Sequence, residues 1–206
     1  MRLLGPWKLP MEFSLIARNP VEIEMLLKDL LRITARESNK LSNILAENFG
    51  IVGEELVKIL KEEYRKPEND WKVISGCFCV ICEASKRRAA IIGNKIFRST
   101  YSLLNQGLLD KRVSVKRWAT RAVLNIICGV YMEGKFVLLG GVRGDNIEEI
   151  AEVDEEVREL KTCIKSAVFL KSFNSIFPLQ LEKRIACEYA GVKEEYLVEM
   201  SKSILG

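Results

Sequence analysis

Hydrophobic residues recur along most of this chain at intervals of three and four, the spacing that places them on one face of an α-helix. Over residues 20–36 the apolar positions fall on one side, and Pro20 occupies a typical first-turn position. The same spacing predicts further helices over 41–49, 54–64, 70–84, 89–104, 114–132, 147–149, 155–174, 179–190 and 193–204. Only 135–144, bracketed by glycines, has the pattern of a strand or linker. The predicted fold class is therefore all-α.

The segment 108–126 combines the pattern of a buried helix with five basic residues. Its apolar positions, Val115, Ala119, Ala122 and Ile126, recur at steps of four, three and four and form one narrow stripe. The small alanines allow a second helix to approach closely. Ser114 is a typical N-cap residue for this helix.

This segment resembles the second helix of a HEAT-type repeat, in which an acidic residue and a short turn precede V-R-x-x-A-x-x-A-Φ-x-x-I, where Φ is apolar. The matching positions here are Asp110, Val115, Lys116, Ala119, Ala122, Val123 and Ile126. Similar anchors occur at Trp71 and Val157, 44 and 42 positions away, so the resemblance covers roughly residues 67–170. It implies a short HEAT-like α-solenoid of helical hairpins. A compact, non-repeating helical bundle is the alternative.

The pattern divides the chain into an N-terminal arm, residues 1–18, and a single all-helical domain, residues 19–206. Within that domain, residues 179–206 resemble a helix-turn-helix with Gly191 at the turn. Its second helix carries Glu194, Glu195 and Glu199 where a DNA reader presents Arg, Asn or Gln to base edges. We therefore expect a helical corner used for packing or protein contact.

Basic residues beside the apolar stripe are the candidate binding residues. Arg117 and Arg121 lie one helical turn apart, and Trp118 is placed to pack beneath them. The second helices of a HEAT solenoid line its concave surface, so the resemblance implies that these side chains face a groove. Such a surface suits phosphates or an acidic protein, and a solvated helix face is the alternative. The candidate nucleic-acid- or anion-binding residues are Arg87, Arg88, Lys111, Arg112, Lys116, Arg117 and Arg121.

An acidic stretch follows, with eight Asp and Glu residues between positions 145 and 159. A basic repeat followed by an acidic one suits head-to-tail self-association or a charged protein partner. It also weakens the nucleic-acid hypothesis, because carboxylates repel a phosphate backbone that continues past them. Simple solvated charge is the alternative.

Composition narrows the classes of function. The 206 residues are 48% hydrophobic with a net charge of +4, so any strongly basic surface must be local. Histidine is absent, which removes the commonest general base and metal ligand. No apolar run is long enough for a membrane span and no cleavable leader pattern is present, which predicts a cytoplasmic protein without a membrane partner. Abundant Glu, Lys and Ile with only two glutamines are typical of a thermophile.

Two motifs are similar to a metal site and to a phosphate-binding loop, but the residues around them do not suit either function. Cys77, Cys79 and Cys82 have the C-x-C-x-x-C spacing of metal and iron–sulfur sites. They lie in a helix that is apolar on almost all sides, where cysteine behaves as a small hydrophobe, so we favour structural cysteines over a disulfide or a metal site. The glycines of 139–144 follow no βαβ pattern and predict no phosphate loop. We predict no catalytic residue, metal or cofactor.

Three functional hypotheses remain. The favoured one is a non-enzymatic binding or scaffold protein whose basic helical face holds a nucleic-acid backbone or an acidic protein partner. The second is a structural subunit of a nucleoprotein or virion-like assembly, motivated by the polarised charge and the apolar arm. The third follows from a resemblance of residues 114–123 to HEAT-like DNA glycosylases of alkylation repair, which use an acidic residue with aromatic neighbours. Asp70 beside Trp71 matches that pattern, but a second aromatic residue is missing.

Overall fold

The computed structural model describes residues 42–87, 91, 94–138 and 147–206, and these residues form helices with no strand. The all-α prediction is confirmed for this part of the chain. Residues 42–47 are helical. The elements that follow are α1 (Phe49–Arg65), α2 (Trp71–Ser85), α3 (Lys95–Arg98), α4 (Tyr101–Leu109), α5 (Val113–Leu138), α6 (Ile147–Cys163), α7 (Ser166–Ile176), α8 (Gln180–Tyr189), the 3₁₀ turn η1 (Glu194–Tyr196) and α9 (Leu197–Leu205). The predicted arm (1–18), the predicted helix over 20–36 and Arg88 lie outside the described residues.

Polar side chains change two of the predicted helices. One ends earlier than its apolar pattern indicates, and the other is interrupted. The first break falls at Asn48 rather than Gly50, where the Asn48 side chain donates to the carbonyl of Ile44 at 2.9 Å. The helix predicted over 89–104 is interrupted between α3 and α4. There, the hydroxyls of Ser99 and Thr100 donate to backbone carbonyls three residues earlier, at 2.7 Å each. Such side-chain bonds compete with the helical backbone pattern.

The helix predicted over 155–174 is two helices, because α6 ends at Cys163 and α7 begins at Ser166. Lys165 between them is extended, and both the amide and the hydroxyl of Ser166 donate to the carbonyl of Gly206, at 3.3 and 2.9 Å. The predicted strand or linker over 135–144 is wrong for its first part, since α5 continues to Leu138. One glycine at position 134 costs a helix only about 1 kcal/mol and does not end it. Residues 139–144 lie outside the described residues.

Helix α5 is the centre of the packing, in contact with α2, α4, α6, α7 and α9. Its predicted apolar stripe, Val115, Ala119, Ala122 and Ile126, is fully buried. At Gly107 of α4, a Cβ atom would lie 2.7 Å from the Cβ of Ala119 and 2.8 Å from the ring of Phe78. Glycine and alanine at this crossing therefore let α2, α4 and α5 meet at close range, as the small residues in the sequence predict.

The C-terminal corner turns at Gly191, whose φ of 85° lies in the left-handed region that favours glycine. The amide of Val192 donates to the carbonyl of Cys187 at 3.0 Å and closes the end of α8. Helix α9 then packs on α5, α6 and α7 through its buried residues, among them Leu197, Met200 and Ile204. The second helix of this corner thus contributes its apolar face to the core.

Candidate nucleic-acid interface

Because its neighbours cover most of α5, only a narrow strip of this helix is exposed. Arg117 and Arg121 are the charged residues of the strip, one turn apart, and Val113 precedes them by another turn. Within the described part of the chain, neither guanidinium forms an ion pair or hydrogen bond with a carboxylate. We call Arg117 and Arg121 the arginine strip.

Helix α2 borders the arginine strip on one side. The amide of Asn125 on α5 donates to the carbonyl of Cys82 at 3.3 Å and to the hydroxyl of Ser85 at 3.1 Å. These bonds fix the C-terminal half of α2 beside the end of the strip, where α2 also carries Lys86 and the half-buried Arg87.

Both Lys86 and Arg121 lie close enough to Cys82 for their charges to act on its thiol. Burial raises the pKa of the Cys82 thiol to about 12, the Glu83 carboxylate adds to the rise, and the charges of Lys86 and Arg121 oppose it. Lys86 also pairs with Glu83 at 2.7 Å, so much of its charge is neutralised. Lys86 therefore has a carboxylate partner at this boundary, whereas Arg121 has none among the described residues.

Helix α7 borders the strip on its other side. The buried hydroxyls of Thr120 on α5 and Ser172 on α7 lie 2.7 Å apart and link the two helices. Lys171, adjacent to Ser172 in sequence, is exposed. The arginine strip thus runs between two flanking helices, and α7 carries an exposed lysine.

Trp118 supports Arg121 directly. The guanidinium carbon of Arg121 lies 5.7 Å from the centre of the Trp118 ring, within the range of a cation–π contact. Trp118 is itself packed against the core, so the contact holds the cation on a rigid base. The expected packing of Trp118 beneath an arginine is confirmed for Arg121.

Arg112, another of the predicted binding residues, is engaged within the protein. Its Nε and Nη2 donate to the Asp110 carboxylate at 2.8 and 2.6 Å, and its Nη1 donates to the side chain of Asn69. The side chain and backbone bonds from Arg112 outweigh the effect of burial and lower the pKa of Asp110. Arg112 therefore joins the turn before α5 to the turn before α2.

A second basic surface lies apart from the strip. Lys111 and Arg112 line a cleft of about 1100 Å³ together with Lys61 and Arg65 of α1. Sequence analysis missed Lys61 and Arg65 because they lie in another helix, with the ordinary pattern of a solvated face. The structure therefore divides the predicted basic cluster between this cleft and the arginine strip. Lys116 is half-buried in the first turn of α5, and its charge acts on Asp110.

Part of the acidic stretch pairs with groups on neighbouring helices. The buried Arg98 has its Nη1 at 3.2 Å from a Glu155 carboxylate oxygen and 3.7 Å from one of Glu159. Glu156 is buried and accepts a hydrogen bond from the Tyr101 hydroxyl. These three carboxylates therefore join α6 to α3 and α4, and the side chains of Glu155 and Glu159 are still 55 and 45% exposed.

The remaining candidate residues have structural roles in the described part of the chain. Asp70 is the N-cap of α2 and accepts from the amide of Lys72 at 2.9 Å. Cys77, Cys79 and Cys82 are buried with free thiols. The described residues contain no group of three or more His, Cys, Asp or Glu side chains arranged to hold a metal ion.

Comparison with known proteins adds no family assignment: no family model, curated protein or solved structure matches this chain. Among the residues with described structure, no helix is both long enough and apolar enough to cross a membrane.

Proposed function

We propose that this protein binds nucleic acid without enzymatic activity, and that the arginine strip on α5 holds the phosphate backbone. The observation that carries the proposal is the exposure of Arg117 and Arg121 on a helix that is mostly buried. Two like charges at this spacing destabilise a helix by about 0.2–0.5 kcal/mol, and no carboxylate among the described residues offsets them. An anionic ligand supplies the missing counter-charge.

A HEAT-like arrangement of the helices is part of the proposal. The contacts of α1 with α2 and of α4 with α5 suit two stacked hairpins, and α5 also contacts α7. In such a row the second helices share one surface, which is where α2, α5 and α7 would present Arg117, Arg121 and Lys171 together.

The partial neutralisation of α6 and the chemistry of the arginine strip support a phosphate backbone as the ligand. Glu156 is buried, and Glu155 and Glu159 each pair with Arg98, so part of their repulsion of a phosphate backbone is neutralised. Exposed guanidinium groups also match the geometry of phosphate oxygens, which they bind through paired N–H donors.

The test is fluorescence anisotropy with labelled DNA and RNA oligonucleotides over a series of salt concentrations. We expect the Arg117→Glu/Arg121→Glu variant to bind at least tenfold more weakly, with a salt slope lower by about one to two phosphate contacts. Lys193→Glu/Lys202→Glu, which makes the same change of charge at exposed positions of the C-terminal corner, is the matched control and should bind like wild type.

Two outcomes would contradict the proposal. Unchanged affinity in the Arg117/Arg121 variant would show that the strip is not the binding surface. Failure of the wild-type protein to bind any oligonucleotide at low salt, together with strip-dependent binding of polyglutamate, would assign the surface to an acidic protein partner instead.

A second candidate function is self-association, favoured by the outer face of α8. Leu181, Ile185 and Tyr189 recur every four residues on this helix and are 56, 47 and 80% exposed. A row of large apolar side chains of this kind is typical of an interaction surface. Arg184 and Glu188 flank the row on one side, so two antiparallel copies of α8 would place Arg184 of each opposite Glu188 of the other.

Sedimentation velocity tests this second candidate. We expect the wild-type protein to sediment as a dimer at high concentration and Ile185→Lys/Tyr189→Lys to sediment as a monomer. Ile51→Lys, a substitution at a similarly exposed apolar residue of α1, should leave the dimer intact. If the wild-type protein sediments as a monomer over a concentration range of about 100-fold, the α8 interface is ruled out.

A further inference from the structure

Trp71 is the first residue of α2, and its side chain is 45% exposed. It lies on the same side of α2 as Phe78, Cys82 and Ser85, since these positions follow at steps of seven, four and three. Asn125 of α5 contacts both Cys82 and Ser85. The exposed indole is therefore on the side of α2 that faces α5, at the N-terminal end of the boundary between them.

The two helices run in the same direction and in a fixed register. Near their N-terminal ends, the side chain of Arg112 is bonded to that of Asn69, and further along Asn125 is bonded to the carbonyl of Cys82. Both pairs are separated by 43 positions in sequence. Trp71 is consequently level with the first turn of α5, and Arg117 and Arg121 follow about 5 and 10 Å further along the axis.

The boundary between α2 and α5 thus presents an exposed aromatic ring followed by two guanidinium groups that have no carboxylate partner among the described residues. Lys72 is exposed beside the ring, and Lys86 and Arg87 end α2 beyond Arg121. We call the row Trp71, Arg117 and Arg121 the α2–α5 track. An aromatic face combined with a line of cations is the arrangement by which proteins hold single strands.

We propose that the ligand of the α2–α5 track is a single-stranded nucleic acid, with one base stacked on Trp71 and adjoining phosphates on Arg117 and Arg121. This inference rests on the function proposed above and adds the class of ligand. In a duplex, each base face is covered by its neighbour, so an exposed indole has no base to stack on. A single strand offers unstacked bases of any sequence, which predicts binding with little sequence preference.

The experiment compares one oligonucleotide sequence as a single strand and as a duplex, with anisotropy and tryptophan fluorescence as readouts. We expect wild type to bind the single strand at least tenfold more tightly than the duplex. Trp71→Ala should lose at least fivefold in single-strand affinity and leave duplex affinity unchanged, because one stacked base is lost. Trp71→Phe keeps an aromatic face and should recover most of the affinity.

Fluorescence provides an independent readout. Binding of the single strand should quench part of the tryptophan emission of wild type. This quenching should be clearly smaller in Trp71→Phe, which still binds and keeps Trp118 beneath Arg121. Circular dichroism of each variant checks that α2 has formed.

The outcomes separate the two proposals. Equal affinity for single strand and duplex, or an unchanged Trp71→Ala variant alongside a weakened Arg117→Glu/Arg121→Glu variant, overturns the single-strand inference and leaves the arginine strip in place. If the Arg117→Glu/Arg121→Glu variant binds both the single strand and the duplex as tightly as wild type, both proposals are overturned.

Discussion

The carboxylate of Asp110 holds the guanidinium of Arg112 with two hydrogen bonds, Oδ2 to Nη2 at 2.6 Å and Oδ1 to Nε at 2.8 Å. The carboxylate also accepts from the backbone amide of Arg112 at 2.9 Å. Arg112 is therefore a structural cation of the turn between α4 and α5, whereas Arg117, five residues later, has no such partner among the described residues. The two arginines should respond differently to substitution.

Asp110→Asn should lower the free energy of unfolding by about 1–3 kcal/mol at pH 7, because it removes a charge-assisted pair whose carboxylate is largely shielded from solvent. The folded-state pKa of Asp110 lies below its unfolded value. Its contribution is therefore present above the unfolded pKa of about 4 and is lost as the pH falls through the folded pKa. Urea denaturation at pH 7 and at pH 3 should show the difference between wild type and variant shrinking in acid.

The control for Asp110 is Arg117→Gln, an exposed position that should change stability by no more than about 0.5 kcal/mol. A difference between wild type and Asp110→Asn that stays constant with pH would show that the ionised carboxylate is not the source of the stability. Equal losses in both variants would mean that Arg117 has a structural partner.

The helical stripe of α5 is predictable because it depends on local spacing, and the burial of Val115, Ala119, Ala122 and Ile126 confirms it. The role of Arg112 is not predictable in this way, because its bond to Asn69 joins turns that are 43 positions apart. Individual basic residues are likewise visible in the sequence. Their separation into a strip and a cleft depends on how α1 and α4 pack, and no spacing rule contains that information.

Gly107→Ala should destabilise the protein by about 1–3 kcal/mol. The added methyl would lie 2.7 Å from the Cβ of Ala119 and 2.8 Å from the ring of Phe78, and all three groups lie where α2, α4 and α5 meet. Because neither neighbour is the end of a flexible side chain, the helices themselves must shift. Thermal unfolding and urea denaturation both measure the loss.

Gly50→Ala is the matched control for Gly107. Nothing lies within 4 Å of the added methyl at this position of α1. The alanine should therefore stabilise the helix by up to about 1 kcal/mol through its better helix propensity. Destabilisation by both substitutions to a similar degree would contradict the close crossing inferred at Gly107.

The helix breaks show a second limit of sequence reasoning. The interruption between α3 and α4 has a local cause, since the hydroxyls of Ser99 and Thr100 donate to the carbonyls of Ile96 and Phe97 at 2.7 Å each. The interruption before Ser166 has a remote cause, because its amide and hydroxyl bond the carbonyl of Gly206. The first could have been found from polar residues within an apolar pattern. The second required the fold.

Cys163 should be the cysteine that reacts first with iodoacetamide in the folded protein. The other five thiols are buried, and Cys163 is half-buried at the edge of a cleft of about 520 Å³ between α3, α4 and α6. Burial and the nearby Glu159 carboxylate raise the pKa of Cys163, so its thiolate fraction is small at pH 7. The rate should rise about tenfold per pH unit until the pH reaches that pKa.

Peptide mapping after partial alkylation identifies the modified cysteine, and Cys163→Ser should abolish the fast phase. Rapid modification of Cys77 or Cys82, whose burial raises each pKa to about 12, would show that α2 opens readily. Such opening would disagree with the continuous burial of that helix.

Thr120 and Ser172 should contribute unequally to stability although they share one hydrogen bond. The Thr120 hydroxyl donates its only proton to the carbonyl of Lys116 at 2.7 Å, so Ser172 must be the donor in the 2.7 Å contact between the two oxygens. Thr120→Val therefore removes both bonds and leaves the buried Ser172 hydroxyl without its acceptor, at a cost of about 1–3 kcal/mol. Ser172→Ala leaves the Thr120 proton bonded and should cost about 0.5–1.5 kcal/mol.

Urea denaturation of both single variants and the double variant completes the double-mutant cycle, and the loss of stability in the double variant should be smaller than the sum of the two single losses. Additive losses, or a larger loss for Ser172→Ala, would mean that the proton lies the other way and that the link between α5 and α7 is made by Thr120 as donor.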